Sequence, residues 1–458
     1  MLKGLRLMTN NTIKESDIFP RGFMRSLLVP IIIEQFLAFT IGLADTIMVS
    51  SAGEAAISGV SLVDQINILL IQIFAALATG GAVIVSQYIG RGEKQRAVSS
   101  VKQLTLISFY AASAIMAVCL LFCPQILRAI FGSVEADVME NCKTYFYLSV
   151  VSYPFLALYN SGAAVFRSMG KSRITMVTSI GMNIINVVGN AVLIFGFGLG
   201  VLGAAAATLV SRVIGGVVMT VLMHNKNNDV YLEGLKKPTL DFKLVKQILY
   251  IGIPGGIENG MFQVGKLLVA RVVSDLGTSA TAANAAANTV AMMSNIPGSA
   301  IGLALVAVVG RAMGARLPDV AEKHTKRFLG LTYLLMLGMN ILIFVLVEPI
   351  VSLFSLSGAT GADAVDIVRI FCIVSSVLWP LAFTLPNCLR ASGDVKFTLV
   401  VSMLSMWLCR VAMSYVFCYS LGYGLHGVWI AMYVDWVARV IFFVIRFLQG
   451  KWKKLTIV

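Results

Sequence analysis

Glu34 and Asp45 stand eleven residues apart in one long apolar run, and Glu258 follows Pro254 at the distance at which Glu34 follows Pro30. On a helix, eleven residues sweep about 1100°, so the first two carboxylates share a face and lie about 16 Å apart along the axis. A charged group at the centre of a bilayer costs about 2.5–3.5 kcal/mol on insertion scales, so each needs a reason to be there. The chemistry open to these residues is binding and release of a proton or a cation. A proline one turn earlier frees a backbone carbonyl and permits a bend, which ties the charge on Glu34 or Glu258 to helix shape. Gly252, Gly256 and Gly260 form a stripe for close helix packing, about 160° around the axis from Glu258, which turns the carboxylate toward a central cavity. Asp64 with Asn67, and Asn284 with Asn288 and Asn295, could line that cavity or join helices. Lys266 is expected to snorkel outward. Asp435 and Arg439, at i and i+4, should neutralise each other.

The elements that must position these groups are read from composition. Of 458 residues, 58% are hydrophobic and 13% charged, with a mean hydropathy of +0.86. Soluble domains carry about 25% charged residues, so this chain cannot cover a water-exposed surface. Twelve apolar stretches of spanning length begin near residues 26, 57, 98, 137, 173, 201, 247, 281, 328, 364, 397 and 425. They predict an all-α, polytopic membrane protein. The first is too long for a signal peptide and carries Glu34 and Asp45. The net charge of +14 would suggest nucleic acid in a soluble protein. Here 28 of the 36 Lys and Arg fall in segments on one side of the twelve spans and two, Arg128 and Lys143, on the other. That asymmetry places both termini in the cytoplasm and the protein in the cell membrane, with no nucleic-acid partner. Seven cysteines without a C-x-x-C pair and three scattered histidines give no metal-ligand spacing.

An internal repeat appears when residue i is laid on residue i+224. Pro30, Glu34, Leu43, Gly53 and Gly90 fall on Pro254, Glu258, Leu267, Gly277 and Gly314; Gly198, Gly203 and Ala207 fall on Gly422, Gly427 and Ala431. A one-residue slip between them lays Arg167, Gly170 and Thr175 on Arg390, Gly393 and Thr398. Six spans per unit is an even number, so the two bundles keep the same orientation about an axis along the membrane normal. Residues 1–223 form one bundle and 247–458 the other, joined by the polar linker 224–246. Gly170-Lys171-Ser172 imitates the end of a phosphate loop, but Val165 stands where the loop needs glycine, and no strand precedes it. No cluster of catalytic groups gathers at one depth, so an enzyme is not expected.

Ala44-Asp45-Thr46-Ile47-Met48-Val49, Gln87-Tyr88-Ile89-Gly90-Arg91-Gly92, Asn183 to Thr208 and Gly310-Arg311-Ala312-Met313-Gly314 together resemble the multidrug and toxic compound extrusion (MATE) family across residues 20 to 450. The resemblance implies two six-helix bundles in a V around a central cavity, exporting drug-like and often cationic compounds in exchange for H⁺ or Na⁺, as a monomer without other cofactor. The family's functional Asp of the first span corresponds to Asp45. A second Asp found in some members corresponds to Asn190, and an Asn of their site to Asn183. Na⁺-linked members carry a Glu in the seventh span that Glu258 resembles, which makes Asp45 or Glu258 the position for Na⁺. Their Asp of the tenth span has no equivalent near Trp379-Pro380. A lipid-linked oligosaccharide flippase of the same superfamily is the alternative; it calls for basic residues along the cavity, where a drug exporter calls for carboxylates and apolar surface.

Overall fold

The computed structural model describes residues 15–458 except 133, 235–238, 355, 357 and 456, with the backbone alone for Asp17, Leu43 to Thr46 and Ser50. The described residues form helices and turns without a strand. Twelve long helices follow one another: α1 (Phe23–Ser50), α2 (Glu54–Arg91), α3 (Lys94–Leu121), α4 (Ala136–Val151 with Tyr153–Ser168), α5 (Ser172–Gly196) and α6 (Gly200–Met223) in the first half. The second half holds α7 (Phe242–Asp275), α8 (Thr278–Gly314), α9 (Pro318–Ser352), α10 (Gly358–Ser392), α11 (Val395–Ser420) and α12 (Gly424–Leu448). All except α7 are apolar and long enough to cross a bilayer, α4 as a pair bent by 47° at Ser152. In α7, Glu258, Asn259 and Gln263 among its glycines lower the apolarity. Leu334, Val345, Ile373 and Leu448 are exposed on the outer faces, as lipid contact requires.

The repeat is visible in the helix irregularities. Gly53 and Gly277, each at positive φ, open α2 and α8. The ends of α5 (Ala191–Gly196) and α11 (Val416–Ser420) are both π-helical, and π turns are frequent at functional positions. Proline marks the break in α4 (Pro154) and starts the π turn of α10 (Pro380), because a residue without an N–H cannot keep the α ladder.

The halves meet along α2, α7 and α8. Gly80 lies so close to α7 that an added methyl would be 2.6 Å from the Ile248 carbonyl and 2.8 Å from the Gly252 nitrogen. Toward the far ends of α2 and α8 the contact is tighter still, and a methyl on Gly90 or Gly314 would collide with the carbonyl of Arg311 or Gln87. Hydrogen bonds fasten the same end. Gln87 donates to the Ala391 carbonyl at 2.8 Å, Tyr88 to Gln247 at 3.2 Å, and Arg311 to the Ser168 carbonyl at 2.8 Å. The linker after α6 folds back on α3, where Lys102 and Gln103 both reach Thr239.

Candidate functional site

Glu34 is buried in α1, and three donors from two other helices converge on it. Arg167 of α4 reaches one carboxylate oxygen at 2.8 Å and Tyr159 the same oxygen at 3.3 Å, while Thr175 of α5 donates to the other at 3.1 Å. Glu258 of α7 repeats the central feature. Arg390 of α10 meets its Oε1 at 2.6 Å and holds Asn387 at 3.1 Å through a second nitrogen. The two arginines were already superposed by the repeat, one residue out of register with the two glutamates, and that was the signal from which the ion pairs could have been read. The surroundings differ. Thr398, the repeat mate of Thr175, bonds its own helix, and Ala382 stands where Tyr159 would fall at the offset of the two arginines, so Glu258 keeps Arg390 alone among these partners. In both places a guanidinium already supplies the positive charge. At Glu258 a coupling cation would meet a carboxylate whose Oε1 is already taken by Arg390, with the second oxygen left toward the cavity.

Two cavities adjoin these pairs. The first, of about 320 Å³, lies inside the first half among α1, α2, α4, α5 and α6, and is lined by Asp64, Tyr145, Tyr159, Asn183, Asn186 and Arg212 among others. Asp64 accepts from Asn67 at 3.1 Å, and Asn67 in turn accepts from Tyr153 at 2.7 Å. Asn190 is fully buried at the end of the same α5 helix that brings Asn183 to the cavity wall. Asp45 lies on α1, and its side chain is outside the described residues.

The second cavity is larger, about 680 Å³, and lies between the halves: Gln35, Ile68 and Gln72 face Glu258, Phe262, Lys266, Trp379, Phe383, Arg390 and Arg439 across it. Met261, Met292, Met403 and Met406 add adaptable apolar surface. The glycine stripe of α7 packs against α2 on the face opposite Glu258, with Gly256 and Gly260 opposite Ile73 and Leu69. Lys266 lines this cavity, contrary to the expected outward snorkel, because α7 presents position 266 toward α11 rather than toward the surface. Asn284 and Asn288 do not line it. Asn284 accepts from Trp429 of α12 at 3.2 Å and so joins two helices, while Asn288 donates to the carbonyl of Asn284 at 2.8 Å within α8. Asp435 and Arg439 form the expected pair at 2.8 Å, with Arg410, which the sequence reading did not single out for a role, 4.0 Å from the same carboxylate.

Comparison with known proteins agrees with this architecture. The family model MatE matches twice, at residues 30–192 and 254–416, two segments offset by the same 224 residues. An uncharacterized transporter, YisQ of Bacillus subtilis, is 30% identical over 91% of this chain and 92% of its own length. A probable multidrug resistance protein, NorM of Thermotoga maritima, is 26% identical over 98% of this chain and 96% of its own. Among solved structures, the outward-facing conformation of a multidrug resistance MATE family transporter of the MOP superfamily superposes with a TM-score of 0.88 at 22% identity, covering 97% of this chain and 99% of that one. A MOP superfamily transporter from Pyrococcus furiosus Vc1, whose binding pocket is described as reversed in polarity, superposes at 0.89 with 21% identity, covering 97% of this chain and all of the other. With its two matched segments, its twelve helices and its relatives at full length, the chain belongs to the MatE family and is a multi-pass membrane transporter, not an enzyme.

Proposed function

We propose that this protein exports small amphipathic, drug-like compounds by alternating access, in exchange for H⁺ or Na⁺. The observation that carries the reading is the 680 Å³ cavity between the halves, of the size that holds a drug-like molecule and walled by methionines, Trp379 and Phe383 around a few polar groups. Its companion is the glycine seam that joins the halves at one end. By the Lys and Arg distribution that end is cytoplasmic, so the conformation described is the outward-facing one. The multidrug resistance relatives support the substrate class. Asp45 is the coupling carboxylate in this reading, assisted by Asn183 and Asn190 in the first half. Glu34 and Glu258 act through their arginines, holding the bends of α1 and α7. One proton moving inward at 100 mV supplies about 2.3 kcal/mol, enough for roughly 50-fold accumulation of a neutral substrate. The flippase reading draws on Lys266, Arg390 and Arg439 in the cavity wall, but Arg390 and Arg439 are matched by Glu258 and Asp435.

The deciding experiment uses the full chain in proteoliposomes loaded with rhodamine 6G, with ΔpH and ΔNa⁺ applied separately. Dye movement should follow one gradient and vanish in Asp45→Asn. Export that persists in Asp45→Asn removes the coupling role, and dye that follows neither gradient removes the antiport reading.

A further inference from the structure

The two cavities occupy repeat-equivalent places. Ala38 and Gly42 line the first and their mates at +224, Phe262 and Lys266, the second, while Tyr159 and Ser179 line the first and their mates at +223, Ala382 and Ser402, the second. Charge separates them. Gly42, Asn186, Ser211 and Gly215 of the first half become Lys266, Arg410, Asp435 and Arg439 in the second. Two guanidiniums thus share one carboxylate, and Lys266 stands on the cavity side of them, near Arg410. Asp435 is fully buried and takes Arg439 at 2.8 Å, with Arg410 beyond at 4.0 Å. The ring of Phe262 lies under both guanidiniums, 5.6 and 5.7 Å from its centre, and fixes them as a pair. Lys266 has no acidic partner among the described residues, and the charge that acts on it is another cation, Arg410. An unmatched cation on the wall of a mostly apolar cavity is a ready place for an anion from outside.

We propose that this wall of the central cavity binds the anionic group of an amphipathic substrate, a carboxylate or sulfonate, at Lys266, with Arg439 beside it on the wall and Arg410 behind, and the substrate's apolar body against Met403, Met406 and Phe383. The proposal rests on the export reading above and adds organic anions and zwitterions to its substrates. The site belongs to the second half alone, since the repeat mates of its charged residues are uncharged.

Fluorescein and rhodamine 6G share a ring system and differ in charge, so they serve as paired probes, measured by fluorescence anisotropy on the purified full chain in detergent. Lys266→Gln should raise the fluorescein Kd about tenfold, the worth of a charge-assisted hydrogen bond, while rhodamine 6G binds as before or more tightly. Lys266→Arg should restore fluorescein, and retained rhodamine 6G binding certifies that the variants are folded. Fluorescein binding indifferent to Lys266→Gln, or a wild-type chain that binds rhodamine 6G and not fluorescein, overturns the proposal. The export reading fails separately. If fluorescein binds through Lys266 and no gradient drives either dye, antiport is wrong and the site stands; if both dyes are driven and position 266 leaves their ratio unchanged, the site is wrong and antiport stands.

Discussion

Arg390 meets Glu258 at 2.6 Å on the wall of the central cavity, and the same contact recurs one repeat earlier between Arg167 and Glu34. Each pair ties a proline-containing helix, α1 or α7, to an irregular helix of its own half, the bent α4 or α10 with its π turn. The duplication makes the pairs a matched experiment, because one is closed in by two hydroxyl donors and the other faces open space.

Arg167→Ala leaves the Glu34 carboxylate buried without its cation, and the expected loss is roughly 3–5 kcal/mol of stability. It should be read as a fall in the unfolding midpoint of the detergent-solubilised protein. Arg390→Ala should lose less, because Glu258 can be hydrated from the cavity. A double-mutant cycle of Glu34→Gln with Arg167→Ala that returns no coupling would show that the pair is incidental.

Gly314→Ala places a methyl against the Gln87 carbonyl, with backbone rather than a movable side chain in the way. The halves must then part at that end. Transport should fall at least tenfold, by about 1.4 kcal/mol per decade in the conformational equilibrium, while a cysteine placed at Leu303 in the cavity wall labels faster from the cytoplasmic side. Normal transport with unchanged labelling would show that the seam tolerates the methyl.

Arg311 is buried, bonds the carbonyls of Ser168 and Ile18, and lies over the ring of Phe23 at 4.6 Å. Arg311→Met keeps the bulk and removes the donors, so the segment 15–22 should detach. Limited proteolysis should cut there in the variant and spare the wild type; equal cutting in both would sink this role for Arg311.

Glu15 is held below the usual carboxylate range, first by its hydrogen bond to Lys323 and then by the neighbouring charges of Lys323 and His324. A lowered carboxylate stabilises above its unfolded value and loses that contribution as pH falls through the folded one. The thermal midpoint of the wild type should therefore exceed that of Glu15→Gln at pH 6 to 7, and the gap should close below about pH 4. A gap independent of pH would mean that the contact does not involve the charge.

The twelve helices, their even division and the duplication were legible because hydropathy and glycine spacing are properties of single segments. The ion pairs were within reach, since the repeat lays Arg167 on Arg390 as it lays Glu34 on Glu258, yet reading each carboxylate within its own helix left them without partners. Lys266 was misplaced for a different reason. Snorkelling is the default for a lysine near a span end, and only the packing of α7 against α11 decides which way position 266 faces. Asn284 and Asn288 share a face by helical spacing, but whether that face meets Trp429 or open space is set by α12, on the far side of the second half.

Where the halves touch through glycine, little apolar side chain leaves water. At about 25 cal/mol per Å² of apolar area, the contacts at Gly80, Gly90 and Gly314 adhere weakly for how closely they fit. Separating them wets carbonyls, which water readily accepts, and bares little oily surface. The join behaves as a clean-parting seal. At the glycines it shuts tightly because no side chain stands between the backbones, and opening it is opposed chiefly by the few side-chain bonds of Gln87, Tyr88 and Arg311 that cross it.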